Sequence, residues 1–199
     1  MKFRTVVVDP PWSIRMGGGV RTGGSGKYNK GYSKKWSGSR VESLRYGVME
    51  VEEIGGLDID GVMEGSAHCY IWTINRYIEE TYWIMRKWGF VPGQLLVWCK
   101  APMGYGLGGA FVGTTEYILT GRRGGLKNTD RIDSTWWNWK RGKHSVKPEA
   151  FQDIVERVSP GPYLEVFARR MRMGWECIGN GIDGLDVRVA LEGLKLREG

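Results

Sequence analysis

The sequence predicts a single α/β domain built on a parallel or mixed sheet, and three observations support this fold class. With 199 residues, the chain is long enough for one domain with a sizeable core. The uninterrupted β-branched run Val6–Val8 is typical of a strand that is covered on both faces. Farther along, strand, helix and strand patterns follow one another, which favours a right-handed crossover in a doubly wound sheet.

The first strand ends in the sequence DPPW, residues 9–12. Pro10 and Pro11 fix φ, lack an N–H group and restrict the residue before them, so the chain leaves the sheet as a rigid corner with unpaired carbonyl groups. Ligands of open α/β sheets bind at the carboxyl ends of the strands, which makes Asp9 and its neighbours a candidate site. A proline turn with Trp12 as an ordinary core aromatic gives the same pattern.

A long glycine-rich segment follows this corner. Residues 15–46 are rich in glycine, serine and basic residues and show no hydrophobic periodicity. Such a stretch inside a compact domain is usually functional or disordered, so we expect either a solvated insert or a loop that contacts substrate. Behind it, residues 49–57 predict a short helix that ends at Gly55 and Gly56.

The middle of the chain contains three segments dense in β-branched and aromatic residues, which predict strands at 67–74, 93–100 and 114–121. Residues 75–90 predict a helix with Asn75 as its N-cap and Gly89 at its end. The motif GxGxxG occurs at Gly104, Gly106 and Gly109. A dinucleotide-binding fingerprint requires a helix directly after the motif, and a strand pattern follows here, so we interpret it as a loop between neighbouring strands.

The last third of the chain begins with a basic segment, residues 122–147, that contains Trp136, Trp137 and Trp139. We interpret this segment as a loop. An amphipathic helix begins near Pro148, and its inward face consists of Phe151, Ile154, Val155 and Val158. Two strands and a short final helix are predicted after it, at 163–170, 175–180 and 185–194.

Composition limits the classes of function. The three cysteines lie far apart without a CxxC motif, and the chain has two histidines, so we expect neither a zinc site nor a disulfide framework. No signal-peptide pattern and no membrane-spanning apolar run are present, which predicts a soluble, cytoplasmic protein. The formal charge of +7 and the ten tryptophans suit a nucleic-acid partner, because aromatic rings beside cations combine stacking with phosphate contacts.

Three separated pieces occur in a recognisable order: DPPW, the block from His144 to Arg170, and WECIGN at 175–180. With YGVMEVEEI, WGF and TTEYILTGRRG between them, they resemble the adenine-N6 methyltransferases of the MT-A-seventy type. Members of that family write N6-methyladenine on messenger RNA, and prokaryotic and phage relatives act on DNA. The resemblance covers nearly the whole chain apart from the glycine-rich insert. It implies a permuted Rossmann-like, S-adenosylmethionine-dependent methyltransferase, here with a mixed, mainly parallel sheet flanked by helices.

The resemblance also implies roles for individual residues. Lys147 is similar to the family's partner of the methionyl carboxylate. The other residues that it places at the cofactor are Asp9, Glu165, Phe167, Arg169 and Asn180. Those that it places at the substrate are Trp12, Tyr46 and Glu116. Trp136 and Trp137 are expected to contact the substrate for another reason, because they are aromatic residues of a basic segment suited to stacking beside phosphate contacts. Members often carry an upstream segment that supplies an acid to the adenine of the cofactor, and this sequence begins at the DPPW strand.

The chemistry expected of such a site concerns the exocyclic N6 amine, whose lone pair is delocalised into the adenine ring. Asp9 and the carbonyl of Pro10 are expected to accept its two N–H groups and so favour attack on the sulfonium methyl. The proline pair, completed by Pro11, fixes these acceptors. Trp12 is expected to stack on the base, which must leave any duplex to reach the site.

We expect DNA as the substrate and a bacterial or phage-infected cell as the setting, with no membrane partner. RNA adenosine is the alternative substrate, and cytosine N4 presents the same chemical problem. A second class of function is an inactive subunit that holds nucleic acid for a partner, although its DPPW motif is intact. The sequence is compatible with a homo- or hetero-oligomer.

Overall fold

The structure, a computed structural model, describes residues 2–13, 47–101, 111, 113–140 and 146–197. The predictions made for the glycine-rich segment and its Tyr46, and for the GxGxxG glycines, lie outside the described residues. Seven strands form one sheet: β1 (Phe3–Val8), β2 (Met63–Thr73), β3 (Val91–Ala101), β4 (Thr115–Arg123), β5 (Trp136–Lys140), β6 (Tyr163–Val166) and β7 (Trp175–Ile178).

The strand order is β5-β3-β4-β2-β1-β6-β7. Strand β4 is antiparallel to both of its neighbours, and every other neighbouring pair is parallel. The prediction of a mixed, mainly parallel α/β sheet is therefore confirmed. Strands β3 and β4, which flank the GxGxxG motif in the sequence, pair with each other, and the element that begins at Thr115 is a strand rather than a helix.

Helices cover both faces of the sheet. They are α1 (Val51–Gly55), α2 (Ile78–Lys87), α3 (Glu149–Val158), α4 (Asn180–Asp183) and α5 (Val187–Leu196). Val6 and Val8 belong to the core cluster that also contains residues of α1, α2 and α5, whereas Val7 belongs to the cluster under α3. This two-sided burial explains the unbroken valine run. No helix in the described part of the chain is long and apolar enough to cross a membrane.

Two helix predictions agree closely with the structure. The short helix α1 has Gly56 as its C-cap. Helix α3 starts directly after Pro148 and buries Phe151 and Val155, while Val158 packs partly buried against the same cluster. Pro at this position is favourable because the first N–H groups of a helix have no intrahelical partner.

Two predicted boundaries were wrong. Asn75 does not cap a helix: it begins a short 3₁₀ turn, and α2 starts at Ile78 without a side-chain cap. The strand predicted at 163–170 ends at Val166, because Phe167 adopts a positive φ of 65° that ends the extended conformation.

The prediction of a loop over residues 122–147 was also wrong in part. Strand β4 continues to Arg123, and Trp136–Lys140 form β5, parallel to β3 at the sheet edge. Exposure alternates along β5, with Trp137 and Trp139 half-buried and their neighbours exposed. This period of two is the strand signal, and the basic flanking residues obscured it.

The topology brings chemically important residues to one edge of the sheet. Strands β1, β2 and β6 are parallel, and β3 runs with β2 because both are antiparallel to β4. The carboxyl ends of these strands and the start of β4 therefore share an edge. Strand order reverses at β1, which pairs with β2 on one side and β6 on the other. Asp9 thus follows the strand at the topological switch point.

Candidate active site

The DPPW corner is fixed by backbone hydrogen bonds. Asp9 N–H donates to Val166 O (3.2 Å), which ties the corner to the end of β6. Trp12 N–H donates to Pro10 O (2.9 Å), and Met49 N–H donates to Pro11 O (3.0 Å). Four residues that fold back in this way place the Asp9 carboxylate at a defined position on the sheet edge.

Trp12 occupies the core. Its side chain is 6% exposed, its ring stacks on Tyr77 with centroids 4.9 Å apart, and its Nε1–H donates to Trp72 O (3.1 Å). This position agrees with the alternative interpretation of Trp12 as an ordinary core aromatic. It does not offer the exposed ring face that the expected stacking on a substrate base requires.

A network of alternating charges joins the ends of β1 and β3 to the start of β4 and to the residue before Pro148. Lys147 Nζ lies 2.9 Å from Asp9 Oδ1 and 2.9 Å from Glu116 Oε2. The other oxygen of Glu116 lies 2.6 Å from Lys100 Nζ. All four side chains are between 10% and 19% exposed, so water screens their charges only weakly.

Tryptophan rings form the floor beneath this network. Lys147 Nζ lies 5.2 Å from the ring centroid of Trp72, and Lys100 Nζ lies 5.7 Å from that of Trp98. The two rings meet edge to face at 5.9 Å, and Trp98 Nε1–H donates to Trp139 O (2.9 Å). Both ammonium groups therefore lie over aromatic faces, which attract cations.

The buried charges change each other's ionisation. Burial raises the pKa of Asp9, and the nearby Lys147 and Arg169 only partly oppose this effect. Burial also opposes ionisation of Glu116, but Lys147 and Lys100 together hold its pKa below the ordinary value. For Lys147, burial would lower the pKa, but Asp9 and Glu116 outweigh burial and raise it. Lys147 is thus a firmly held cation between two carboxylates.

A second polar group lies on the other side of Asp9. Glu165 on β6 accepts a hydrogen bond from Gln152 Nε2, and Gln152 Oε1 accepts one from Arg170 Nη2 (2.9 Å). Arg170 Nη1 also donates to the carbonyl of Lys147 (3.2 Å), which joins the two groups. Burial raises the pKa of Glu165 to about 7, against the opposing charge of Arg170.

Several of these side chains line a common cleft. Its lining consists of Asp9, Val146, Lys147, Glu165, Phe167, Arg169 and Arg170. Phe167 takes part with a left-handed backbone, an uncommon conformation for a bulky residue that is often found at functional sites. Asn180, by contrast, is exposed at the start of α4 and is not part of this lining.

The structure therefore gathers most, but not all, of the residues that the sequence proposed. Glu116 lies outside the cleft lining but contacts it through Lys147. Trp136 is 60% exposed on the edge strand, whereas Trp137 stacks on Trp139 with centroids 5.1 Å apart. Neither Trp136 nor Trp137 lines the cleft. Among the described residues, no group of three or more His, Cys, Asp or Glu side chains could hold a metal ion.

Sequence reasoning missed three residues of this site: Lys100, Gln152 and Arg170. Lys100 is a charged residue that follows the apolar run Leu95–Cys99 of β3, and Gln152 is a polar residue on the buried side of α3. Both break a hydrophobic pattern, and that break is the signal that could have identified them. Arg170 follows Arg169 directly, and the sequence analysis named only Arg169 for the site.

Comparison with known proteins gives the family. The MT-A70 family model matches residues 3–181, which is most of the chain. The chain belongs to the MT-A70 family. The match includes the DPPW corner, Glu116, Lys147 and Glu165, so the cleft lies within the MT-A70 region. The order of motifs that the sequence showed and the mixed sheet that the structure shows agree with this membership.

Individual relatives are distant. The chain is 25% identical to the type II methyltransferase M.MunI of a Mycoplasma species, over 96% of this chain and 83% of the relative. It is 25% identical to an N(6)-adenosine-methyltransferase MT-A70-like protein of Drosophila melanogaster, over 92% of this chain and 28% of the relative. It is 24% identical to the N(6)-adenosine-methyltransferase catalytic subunit METTL3 of Homo sapiens, over 92% of this chain and 29% of the relative. The chain spans less than a third of the plant and animal relatives.

Proposed function

We propose that this protein transfers a methyl group from S-adenosylmethionine to the exocyclic N6 amine of adenine in DNA. The single observation that supports this most directly is the Asp9 carboxylate. It is largely buried at the topological switch point, ion-paired with Lys147 and part of the cleft lining, within the region that matches the MT-A70 family.

The residues of the cleft fit the proposed cofactor. Lys147 carries an ammonium group of the kind that binds a carboxylate, and it already contacts two carboxylates in the structure. Glu165 presents a carboxyl group that can accept hydrogen bonds from ribose hydroxyls, and Phe167 and Arg169 provide an apolar surface and a cation beside it. We assign Lys147, Glu165, Phe167 and Arg169 to cofactor binding on this basis. S-adenosylmethionine supplies the electrophilic methyl group when bound.

Asp9 has the properties of the acceptor that the amine requires. A carboxylate offers about four lone-pair positions, so its contact with Lys147 leaves capacity for an N–H group of the base. The carbonyl of Pro10 accepts the N–H of Trp12 and has a second lone pair. Holding both N–H groups localises the nitrogen lone pair and orients it, which lowers the barrier by positioning and electrostatics.

We propose DNA as the substrate because of how much of each relative's length this chain covers. The chain covers 83% of the type II methyltransferase M.MunI, but only 28% and 29% of the two adenosine methyltransferases named above. RNA adenosine is the alternative substrate of the same reaction. A catalytically inactive, nucleic-acid-binding subunit is the second candidate function, and the exposed Trp136 with the net charge of +7 favours binding in either case.

The decisive experiment measures modified nucleosides. The protein is incubated with S-adenosylmethionine that carries an isotopically labelled methyl group, and with matched DNA and RNA strands of mixed sequence. Mass spectrometry of the digested nucleosides should show labelled N6-methyldeoxyadenosine in excess of N6-methyladenosine. Label on cytosine N4 would assign the other amine, and binding without any label would assign the inactive subunit.

A further inference from the structure

Lys100 lies at one end of the charge network and has no part in the mechanism above. It reaches Asp9 only through two intermediate side chains, in the order Lys100, Glu116, Lys147 and Asp9. Each successive contact is between 2.6 and 2.9 Å. Register pairing holds Glu116 opposite Trp98 on the neighbouring strand, so Lys100 and Glu116 meet at the end of the β3–β4 pair.

The network is neutral only when Lys100 is present. Two ammonium groups alternate with two carboxylates, and all four are largely buried. Without Lys100, two carboxylates would share one cation, Lys147. A buried charge without a partner is costly, and such sites regain neutrality by taking up a proton. Of the two carboxylates that contact Lys147, Asp9 is the one whose pKa burial already raises, so the proton would go to Asp9.

We propose that Lys100 is a positioning residue of the methyltransfer site, which pairs with Glu116 so that Asp9 remains an ionised acceptor near neutral pH. The inference rests on the proposed function, because Asp9 has this role only in that reaction. Lys100 touches neither substrate nor cofactor in this scheme. Its effect reaches the acceptor through Glu116 and Lys147.

The surroundings of Asp9 offer little compensation for the loss of Lys100. The other charged groups near Asp9 are Arg169, whose cation opposes the effect of burial in wild type and variant alike, and Glu165, whose pKa burial raises to about 7. The floor below the network is formed by uncharged tryptophan rings. The charge of Glu116 raises the pKa of Asp9, and the Lys100 ammonium group, 2.6 Å from Glu116, offsets that charge.

The test compares the pH dependence of turnover in three variants. Lys100→Met should shift the acidic limb of the kcat profile upward by about one pH unit or more, so that kcat falls about tenfold on that limb and recovers at alkaline pH. Lys100→Arg keeps the charge and should retain the wild-type midpoint. The double variant Lys100→Met/Glu116→Gln is again neutral and should bring the midpoint back towards wild type.

A merely structural role for Lys100 predicts a different result. Turnover would then fall by the same factor at every pH, and the acidic midpoint would be the same in wild type, Lys100→Met and the double variant. Equal acidic midpoints in wild type and Lys100→Met would overturn the proposal.

A second measurement needs no activity. The lowered pKa of Glu116 stabilises the folded state above the ordinary carboxyl pKa, and this stability is lost as pH falls through the lowered value. Lys100→Met should remove part of this stability. The unfolding midpoint of the variant should therefore lie farther below that of wild type at pH 7 than at pH 4. If the difference in unfolding midpoint between Lys100→Met and wild type were the same at both pH values, Lys100 would not be holding the pKa of Glu116 low. If wild type methylates nothing while this difference behaves as expected, the proposed function fails and the charge balance stands.

Discussion

Asp9 is the residue on which the proposed chemistry depends most directly. Asp9→Asn preserves the shape of the side chain, but an amide cannot match the positive charge that develops on N6 as the methyl group arrives. Loss of one preorganised group of this kind costs roughly 100- to 1,000-fold in rate. We expect kcat for labelled methyl transfer to fall by that factor, while binding of nucleic acid changes much less.

The same variant also has a structural effect that must be controlled. Asn at this position leaves Lys147 with one carboxylate partner instead of two, so the unfolding transition and cofactor binding are measured alongside turnover. A folded Asp9→Asn variant that binds cofactor and nucleic acid, yet methylates adenine within a few-fold of wild type, would exclude Asp9 as the acceptor.

Lys147 provides the prediction for cofactor binding. Lys147→Ala removes the cation proposed for the methionyl carboxylate, and a charge-assisted hydrogen bond contributes ~1.5–3 kcal/mol. The dissociation constant for S-adenosylmethionine should therefore rise about tenfold or more, as measured by calorimetry. Lys140→Ala, which changes an exposed lysine on β5, is the matched control and should leave it unchanged. Wild-type affinity in folded Lys147→Ala would remove Lys147 from the cofactor site.

Glu165 gives a pH-dependent prediction for stability. Its pKa is about 7 in the folded protein against an ordinary value of 4.5. Between these values the unfolded chain releases the proton while the folded protein retains it, so the folded state loses stability as pH rises from 4.5 to 7. The loss is at most ~1.4 kcal/mol per pH unit and stops once both states are ionised.

Denaturant unfolding at several pH values measures this effect. Glu165→Gln lacks the ionisable proton, so the difference in unfolding free energy between the variant and wild type should change across the window from pH 4.5 to 7. It should be constant above pH 8. A constant difference over the whole range would show that burial does not raise the pKa of Glu165.

At the scale of elements, β5 separates the roles of its tryptophans. Trp136 is 60% exposed, whereas Trp137 and Trp139 stack on each other and pack against the core cluster under α3. Trp136→Ala should therefore weaken binding of single-stranded nucleic acid by roughly fivefold or more, since stacking on one base contributes ~1–3 kcal/mol, with little change in stability. Trp139→Ala should mainly lower the unfolding midpoint.

Fluorescence anisotropy with a labelled oligonucleotide and thermal unfolding distinguish the two effects. If Trp136→Ala unfolds earlier and binds normally, the exposed ring is a structural element rather than part of a nucleic-acid surface. If Trp139→Ala keeps its unfolding midpoint, the stacked pair contributes little to the edge of the sheet.

Local sequence patterns predicted those elements whose signal lies in a few neighbouring residues. The valine run of β1 and the apolar face of α3 show their burial directly in their periodicity. Strand β5 was missed because its five residues lie between basic flanks, and its strand character depends on pairing with β3, far away in sequence. The end of β6 was misplaced because nothing in the local sequence indicates the positive φ of Phe167.

The site was predictable in the same uneven way. DPPW and Lys147 were proposed for the site because both lie in motifs on which the family resemblance rests. Lys100 became visible only when the topology placed the end of β3 beside the start of β4. The members of this charge network come from four separate segments. Each is a single charged residue in its own stretch of sequence, so no local pattern shows that the four side chains meet. The interpretation of Trp12 likewise depended on Tyr77, which supplies the stacking partner from another element.

At the scale of the whole molecule, the formal charge of +7 should control how the protein meets nucleic acid. Each phosphate contact releases bound counterions, so the logarithm of the association constant falls linearly with the logarithm of salt concentration, with a slope of about −0.7 per phosphate for single strands. With about four contacts, a fourfold rise in salt should weaken binding roughly 50-fold. Anisotropy titrations over this range should show the same salt slope in wild type and in Trp136→Ala, because stacking carries no charge. Lys140 is exposed on β5, so if it contacts a phosphate of the nucleic acid, Lys140→Ala should lower the slope by one phosphate contact. Affinity that does not change with salt would mean that the net charge plays no part in binding.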